Sequence, residues 1–172
     1  MKNKNKFNKR TYHGLREALR DFSAMVKHRK QIRTLMRSDS LTEAFRERIM
    51  LTVTEVNGCR YCQYAHAKMA LSAGLSASEI DSLSSGAFHH CPPEEVPALL
   101  FAQHWAEENG SPDSAMRKKM HSIYGENKTR DMELVMRMIH MGNLMGNTWD
   151  LLIYKLSFGK LGNASRMRTE LD

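Results

Sequence analysis

Only three of the 172 residues are cysteine, an odd number that cannot form a closed disulfide framework. A chain of this length buries a core large enough to fold without such staples. No run approaches the roughly 20 apolar residues that span a bilayer, so no membrane partner is expected. The first ten residues, rich in Lys and Asn, lack the apolar core of a secretory signal. A soluble, cytoplasmic protein is expected, in which a close cysteine pair is more often catalytic or metal-binding than structural. Aromatic residues are few and do not interleave the basic ones, as a platform for single-stranded nucleic acid requires. Strand alternation, internal repeats and low-complexity linkers are also missing, which leaves a single all-α domain.

What is present in excess is positive charge, and it is unevenly placed. The net charge is +7, yet residues 1–40 hold twelve Lys/Arg against three Asp/Glu, and the remainder holds fourteen against sixteen. The basicity therefore belongs to the N-terminal segment and first helix. It reads as a solvated face, and nucleic acid is not expected as a partner. Residues 1–10 read as a flexible basic arm, 11–160 as one helical domain and 161–172 as a C-terminal tail.

Leu15, Leu19, Phe22, Val26, Ile32 and Leu35 recur at helical spacing from Tyr12 onward, until Ser38-Asp39-Ser40 closes the pattern. Ser40 or Thr42 caps a second helix that runs to Asn57-Gly58. A third spans about Cys59 to Ser72, with Gly74 as its stop. Ser76 and Glu79 have capping-box spacing for a short helix. Cys91-Pro92-Pro93 precedes another over Glu94 to Glu108, and a further helix reaches Gly125. From Lys128 to Phe158 a long helix or broken pair carries a stripe of Met138, Met141, Met145, Leu151 and Leu152, expected in the core or a subunit interface. Gly142 and Gly146 mark either a close helix approach or a kink.

The segment NGCRYCQYAHAKM, residues 57–69, concentrates the chemistry. At about 100° per residue, Cys59, Cys62 and His66 share one helix face and Tyr61 points elsewhere, toward packing or the rim. Cysteines in a first helical turn meet the positive end of the macrodipole and unpaired N–H groups, which favour the reactive thiolate. Such a pair closes into a disulfide with little backbone movement, and His66 stands one turn from Cys62, placed to take its proton. The same residues also supply three of four zinc ligands. That reading needs a fourth from His89, His90, Cys91 or a carboxylate, and no spacing selects one. Cys91 has no evident partner and reads as a bystander thiol.

The stretch FRERIMLTVTEVNGCRYCQYAH resembles the alkylhydroperoxidase AhpD-like branch of the carboxymuconolactone decarboxylase superfamily. Glu47 stands twelve residues before Cys59, matching the glutamate that precedes the family's CxxC and histidine; Glu55 does not match. Tyr61 departs from relatives that place a second histidine just before the second cysteine. The resemblance covers about residues 40–160, including MGNLMGNTWD. It implies an AhpD-like helical bundle assembled as a homo-oligomer, trimer or hexamer, that reduces a hydroperoxide substrate at a redox-active dithiol without a further cofactor. By the same resemblance Glu47 orients His66, His66 helps ionise Cys62, Cys62 attacks the peroxide, Cys59 resolves the product, and an external dithiol or thioredoxin-like reductant restores the pair. The alternatives are a lactone decarboxylase of the same superfamily, which needs no cysteine pair, and a metal-binding or redox-sensing interaction protein.

Overall fold

The computed structural model describes residues 7–163, and among these it is all-α, with six helices and no strand. The order is α1 Leu15–Arg37, α2 Glu43–Asn57, α3 Arg60–Ser72, α4 Ala77–Leu83, α5 Val96–Glu107 and α6 Ser114–Leu156. The local signals act where the sequence places them. Thr42 Oγ1 accepts from Phe45 N–H to cap α2, Ser76 accepts from Glu79 N–H to cap α4, and Asp113 accepts from Met116 N–H to start α6. Gly125 adopts φ 78° and ψ 164°, so the helical path of α6 breaks there, as its position after Tyr124 predicts.

Helix α2 is the centre of the bundle, packed by α3, α4, α5 and α6. Its Ile49, Leu51 and Val53 are fully enclosed, together with Leu99, Phe101 and Trp105 of α5 and Met132, Val135 and Met136 of α6. Removing each such side chain from water stabilises the fold by roughly 1.5–3 kcal/mol. Leu35 ties the end of α1 into the same core.

The apolar faces of α1 and α6 are divided between core and surface. Leu15, Leu19, Phe22 and Val26 are 44–75% exposed, so most of the apolar stripe of α1 lies outside the core of the chain. In α6 the inward stripe is Met132, Val135, Met136 and Ile139, whereas Met145 and Leu152 of the stripe expected in the core or a subunit interface are exposed in the single chain, outside its core. The expected stripe lies to one side because the true inward face continues as Asn143, Asn147 and Asp150, all fully buried and all polar.

Candidate redox site at the start of the third helix

The turn that carries the cysteines is short and tightly specified. Gly58 follows α2 in the left-handed conformation, φ 72°, and its N–H bonds the Thr54 carbonyl. A side chain there would be strained. Cys59 then serves as N-cap of α3, its sulfur accepting from Cys62 N–H at 3.4 Å. The two sulfurs lie 2.7 Å apart and share a hydrogen. Cys59 is buried and Cys62 is half-buried. Bonding with the Cys62 thiol pulls Cys59 down to about 7; burial opposes this, while the Cys62 and Tyr61 N–H groups and the Lys9 charge assist it. Cys62 moves the opposite way, raised by the same shared hydrogen and by burial. The pair thus releases one proton easily and holds the second.

The structure also brings together Glu47 and His66. Glu47 is buried on α2, and its Oε2 lies 2.7 Å from His66 Nδ1 on α3. With Nδ1–H donating to this carboxylate, Nε2 is the ring atom left to exchange a proton. His66 itself follows Cys62 by one turn of α3.

Tyr61 is not idle packing. Its hydroxyl donates to Asp150 Oδ1 at 2.8 Å, and the same carboxylate oxygen accepts from Arg60 at 2.8 Å while Oδ2 accepts from Lys9 Nζ at 2.6 Å. Asp150 is fully buried, and these partners hold it below the ordinary carboxylate range against the effect of burial. Burial and the adjacent carboxylate raise Tyr61. Its hydroxyl is therefore committed to α6, where it pins the first turn of α3.

Gly146 of α6 makes the close approach possible. A Cβ on Gly146 would stand 2.8 Å from Cys59 Sγ and 3.4 Å from the Tyr61 ring, whereas one on Gly142 would meet nothing within 4 Å. Behind this contact runs a buried polar line. Asn147 Nδ2 donates to the carbonyls of Asn57 and Arg10, Asn57 Nδ2 lies 3.1 Å from His140 Nδ1, and Thr54 Oγ1 lies 3.2 Å from Asn143 Oδ1. Burial lowers His140, keeping it neutral.

Sequence reasoning missed Lys9, Asn57, Asn143, Asn147 and Asp150 as members of this neighbourhood. The motif quoted for the resemblance, MGNLMGNTWD, contained three of them without assigning a role. Lys9 and Arg10 fall in the segment read as a flexible arm; both are anchored, Arg10 to the carbonyls of Ala106 and Glu107. Cys91 is buried in the loop before α5, where burial pushes its thiol up to about 11. Among the described residues no three His, Cys, Asp or Glu side chains are grouped to hold a metal ion, so the zinc alternative finds no ligand set there. No described helix is long and apolar enough to cross a membrane.

The model of the carboxymuconolactone decarboxylase family matches residues 22–108, just over half the chain. That stretch contains Glu47, Cys59, Cys62 and His66. No curated protein and no solved structure matches the chain significantly.

Proposed function

The chain belongs to the carboxymuconolactone decarboxylase family, and within it we propose that this member is a thiol-dependent peroxidase working through Cys59 and Cys62. The observation that carries this reading is the sulfur pair 2.7 Å apart at a helix start, with the Glu47–His66 hydrogen bond one turn along the same helix. A lactone decarboxylase has no use for the first of these features.

Cys62 is the more exposed sulfur and meets the substrate; Cys59 is shielded and favours charge. One proton leaves the pair to solvent, and the second, held on Cys62, passes to His66 Nε2 only as Cys62 attacks. The Cys62 thiolate attacks one oxygen of the hydroperoxide, the O–O bond breaks, and the departing alkoxide leaves as an alcohol with the proton held by His66. Cys62 is now a sulfenic acid. The Cys59 thiolate attacks its sulfur, the S–S bond forms, and the displaced hydroxide takes a proton from solvent to leave as water. Two thiols and one peroxide have become one disulfide, one alcohol and one water. A dithiol, free or on a thioredoxin-like protein, returns the two electrons by exchange. Glu47 holds the His66 ring and stabilises it when protonated.

The protein acts as a homo-oligomer in this proposal. Leu19 and Phe22 of α1, with Met145, Trp149 and Leu152 of α6, line an open apolar groove of about 530 Å³. Each of these five is more than 40% exposed in one copy, and contiguous apolar surface of this kind marks a contact site.

The test is peroxide consumption with mass mapping of the protein. Loss of two hydrogens located to a Cys59–Cys62 bridge is expected after one equivalent of peroxide, and Cys62→Ser should abolish consumption while keeping the helical spectrum. Undiminished consumption by Cys62→Ser removes the proposal. Decarboxylase turnover surviving in a Cys59→Ser, Cys62→Ser double variant would replace it with the lactone reaction.

A further inference from the structure

Lys9 reaches the site from far outside it in sequence. Its Nζ is 2.6 Å from Asp150 Oδ2, across 141 positions, and its side chain is only 6% exposed. The segment around it is fastened on several sides. Arg10 binds the carbonyls at the end of α5, the Arg10 carbonyl accepts from Asn147 at 2.9 Å, and Tyr12 N–H donates to Thr148 Oγ1 at 3.1 Å. The stem of Lys9 passes over the CxxC turn, its Cγ 3.9 Å from where a Cβ on Gly58 would stand.

The local charges do not cancel. One buried carboxylate, Asp150, faces two cations, Lys9 and Arg60, with the neutral Tyr61 hydroxyl as third donor. One positive charge is left over at the N-terminus of α3, where the Cys59 sulfur is the cap. A thiolate there completes the balance, and the weak screening of a half-buried site makes the charge count for more than it would in water. We propose that Lys9 is a positioning residue of the redox pair, strapping the N-terminal segment across the CxxC turn and supplying the uncompensated positive charge beside Cys59. Arg60 alone balances the charge of Asp150, whereas Lys9 is the donor to its second oxygen, so one hydrogen bond is met by a cation where a neutral donor would serve.

This inference rests on Cys59 and Cys62 being a redox pair, but its test does not require peroxide turnover. The pH dependence of thiolate ultraviolet absorbance reads the first proton lost by the pair without a reagent having to reach the buried Cys59. In Lys9→Met the midpoint should rise and the neutral-pH thiolate fraction should fall about threefold to fivefold, because a rise of about one pKa unit from a midpoint near 7 leaves about a tenth of the thiol ionised where half was. Lys9→Arg, which keeps the charge, should restore the wild-type profile. If Lys9→Met does not fold, Lys9→Gln, which still donates to Asp150, reads the same titration. An unchanged midpoint in the folded neutral variant overturns the inference, and so does an equal rise in Lys9→Arg, which would mean that packing of the stem is what matters. A wild-type protein that shows the Lys9 effect but consumes no peroxide would retain this inference and remove the peroxidase.

Discussion

The inward face of α6 has two halves of opposite chemistry. From Met132 to Ile139 it is apolar and meets the centre of the core; from Asn143 to Asp150 it is polar and equally buried. The apolar half follows the ordinary rule of burial. The polar half breaks it, and leaving one of its groups without a partner would cost about 1–3 kcal/mol. That expense is offset in part by partners drawn from three directions: Thr54 and Asn57 of α2, Arg60 and Tyr61 of α3, and Lys9 and Arg10 of the N-terminal segment; Asn143 Nδ2 and Asn147 Oδ1 have no hydrogen-bond partner among the described residues. Buried polarity converges in this way against the two cysteines, and under the proposed function it serves thiol chemistry as well as stability.

Substitutions in the two halves should therefore separate stability from thiol reactivity. The largest effect is expected from Asp150→Ala, which leaves Lys9 and Arg60 together without their buried counter-charge. Removing one member of such a cluster costs about 3–5 kcal/mol, and Tyr61 loses its acceptor. Both the melting temperature and the thiolate titration of the cysteine pair should change. A melting temperature unchanged by this variant would show that water already compensates the cations and that the two halves differ less than their burial suggests.

Met136→Ala is the counterpart in the apolar half. Met136 is fully enclosed, and truncating such a side chain to Ala costs about 2–5 kcal/mol through lost contacts and the cavity left behind. The midpoint of the thiolate titration, expected near pH 7 in the wild type, should stay where it is. A shift of that midpoint in Met136→Ala would mean that the site senses core packing, and the separation of the halves would fail. The sign of the pH effect follows from the depressed thiol. Between about 7 and its ordinary 9, Cys59 is ionised in the folded chain and protonated in the unfolded one, so its contribution to stability grows with pH across that window and is lost as pH falls through about 7, while the raised Cys62 opposes it above that window.

How much of this was legible in the sequence depends on the range of each interaction. Caps, turns and helix extents follow from neighbours within four residues, so Thr42, Ser76, Gly58 and the Gly125 break stand where local rules put them. The CxxC face with His66 is equally local, and the spacing to Glu47 followed from the resemblance. The polar half of α6 was not legible, because Asn143, Asn147 and Asp150 look like a solvent face to any hydropathy pattern; only their distant partners explain their burial. The apolar stripe of α1 shows the opposite limit. Its periodicity was visible, but periodicity says nothing about which surface covers it, and four of its members are exposed in the single chain.

The two glycines of α6 give the finest comparison, with the smallest expected effects. Gly142 and Gly146 are one helical turn apart, and hydropathy or propensity treats them alike. At Gly142 a methyl group meets nothing within 4 Å, and Gly→Ala inside a helix is favourable by about 1 kcal/mol; Gly142→Ala should raise the melting temperature by a few degrees without touching thiol reactivity. At Gly146 the same methyl would stand 2.8 Å from Cys59 Sγ, closer than either atom tolerates. The sulfur must shift, overpacking takes back about 1–3 kcal/mol, and the 2.7 Å approach of the two sulfurs is disturbed. Gly146→Ala should therefore be neutral to destabilising and should slow closure of the Cys59–Cys62 disulfide, measured as the rate of free-thiol loss under a fixed oxidant. Equal rates of closure in the two variants would mean that the cysteine turn moves freely against α6, and that the polar half is a support for the fold and not for the sulfur pair.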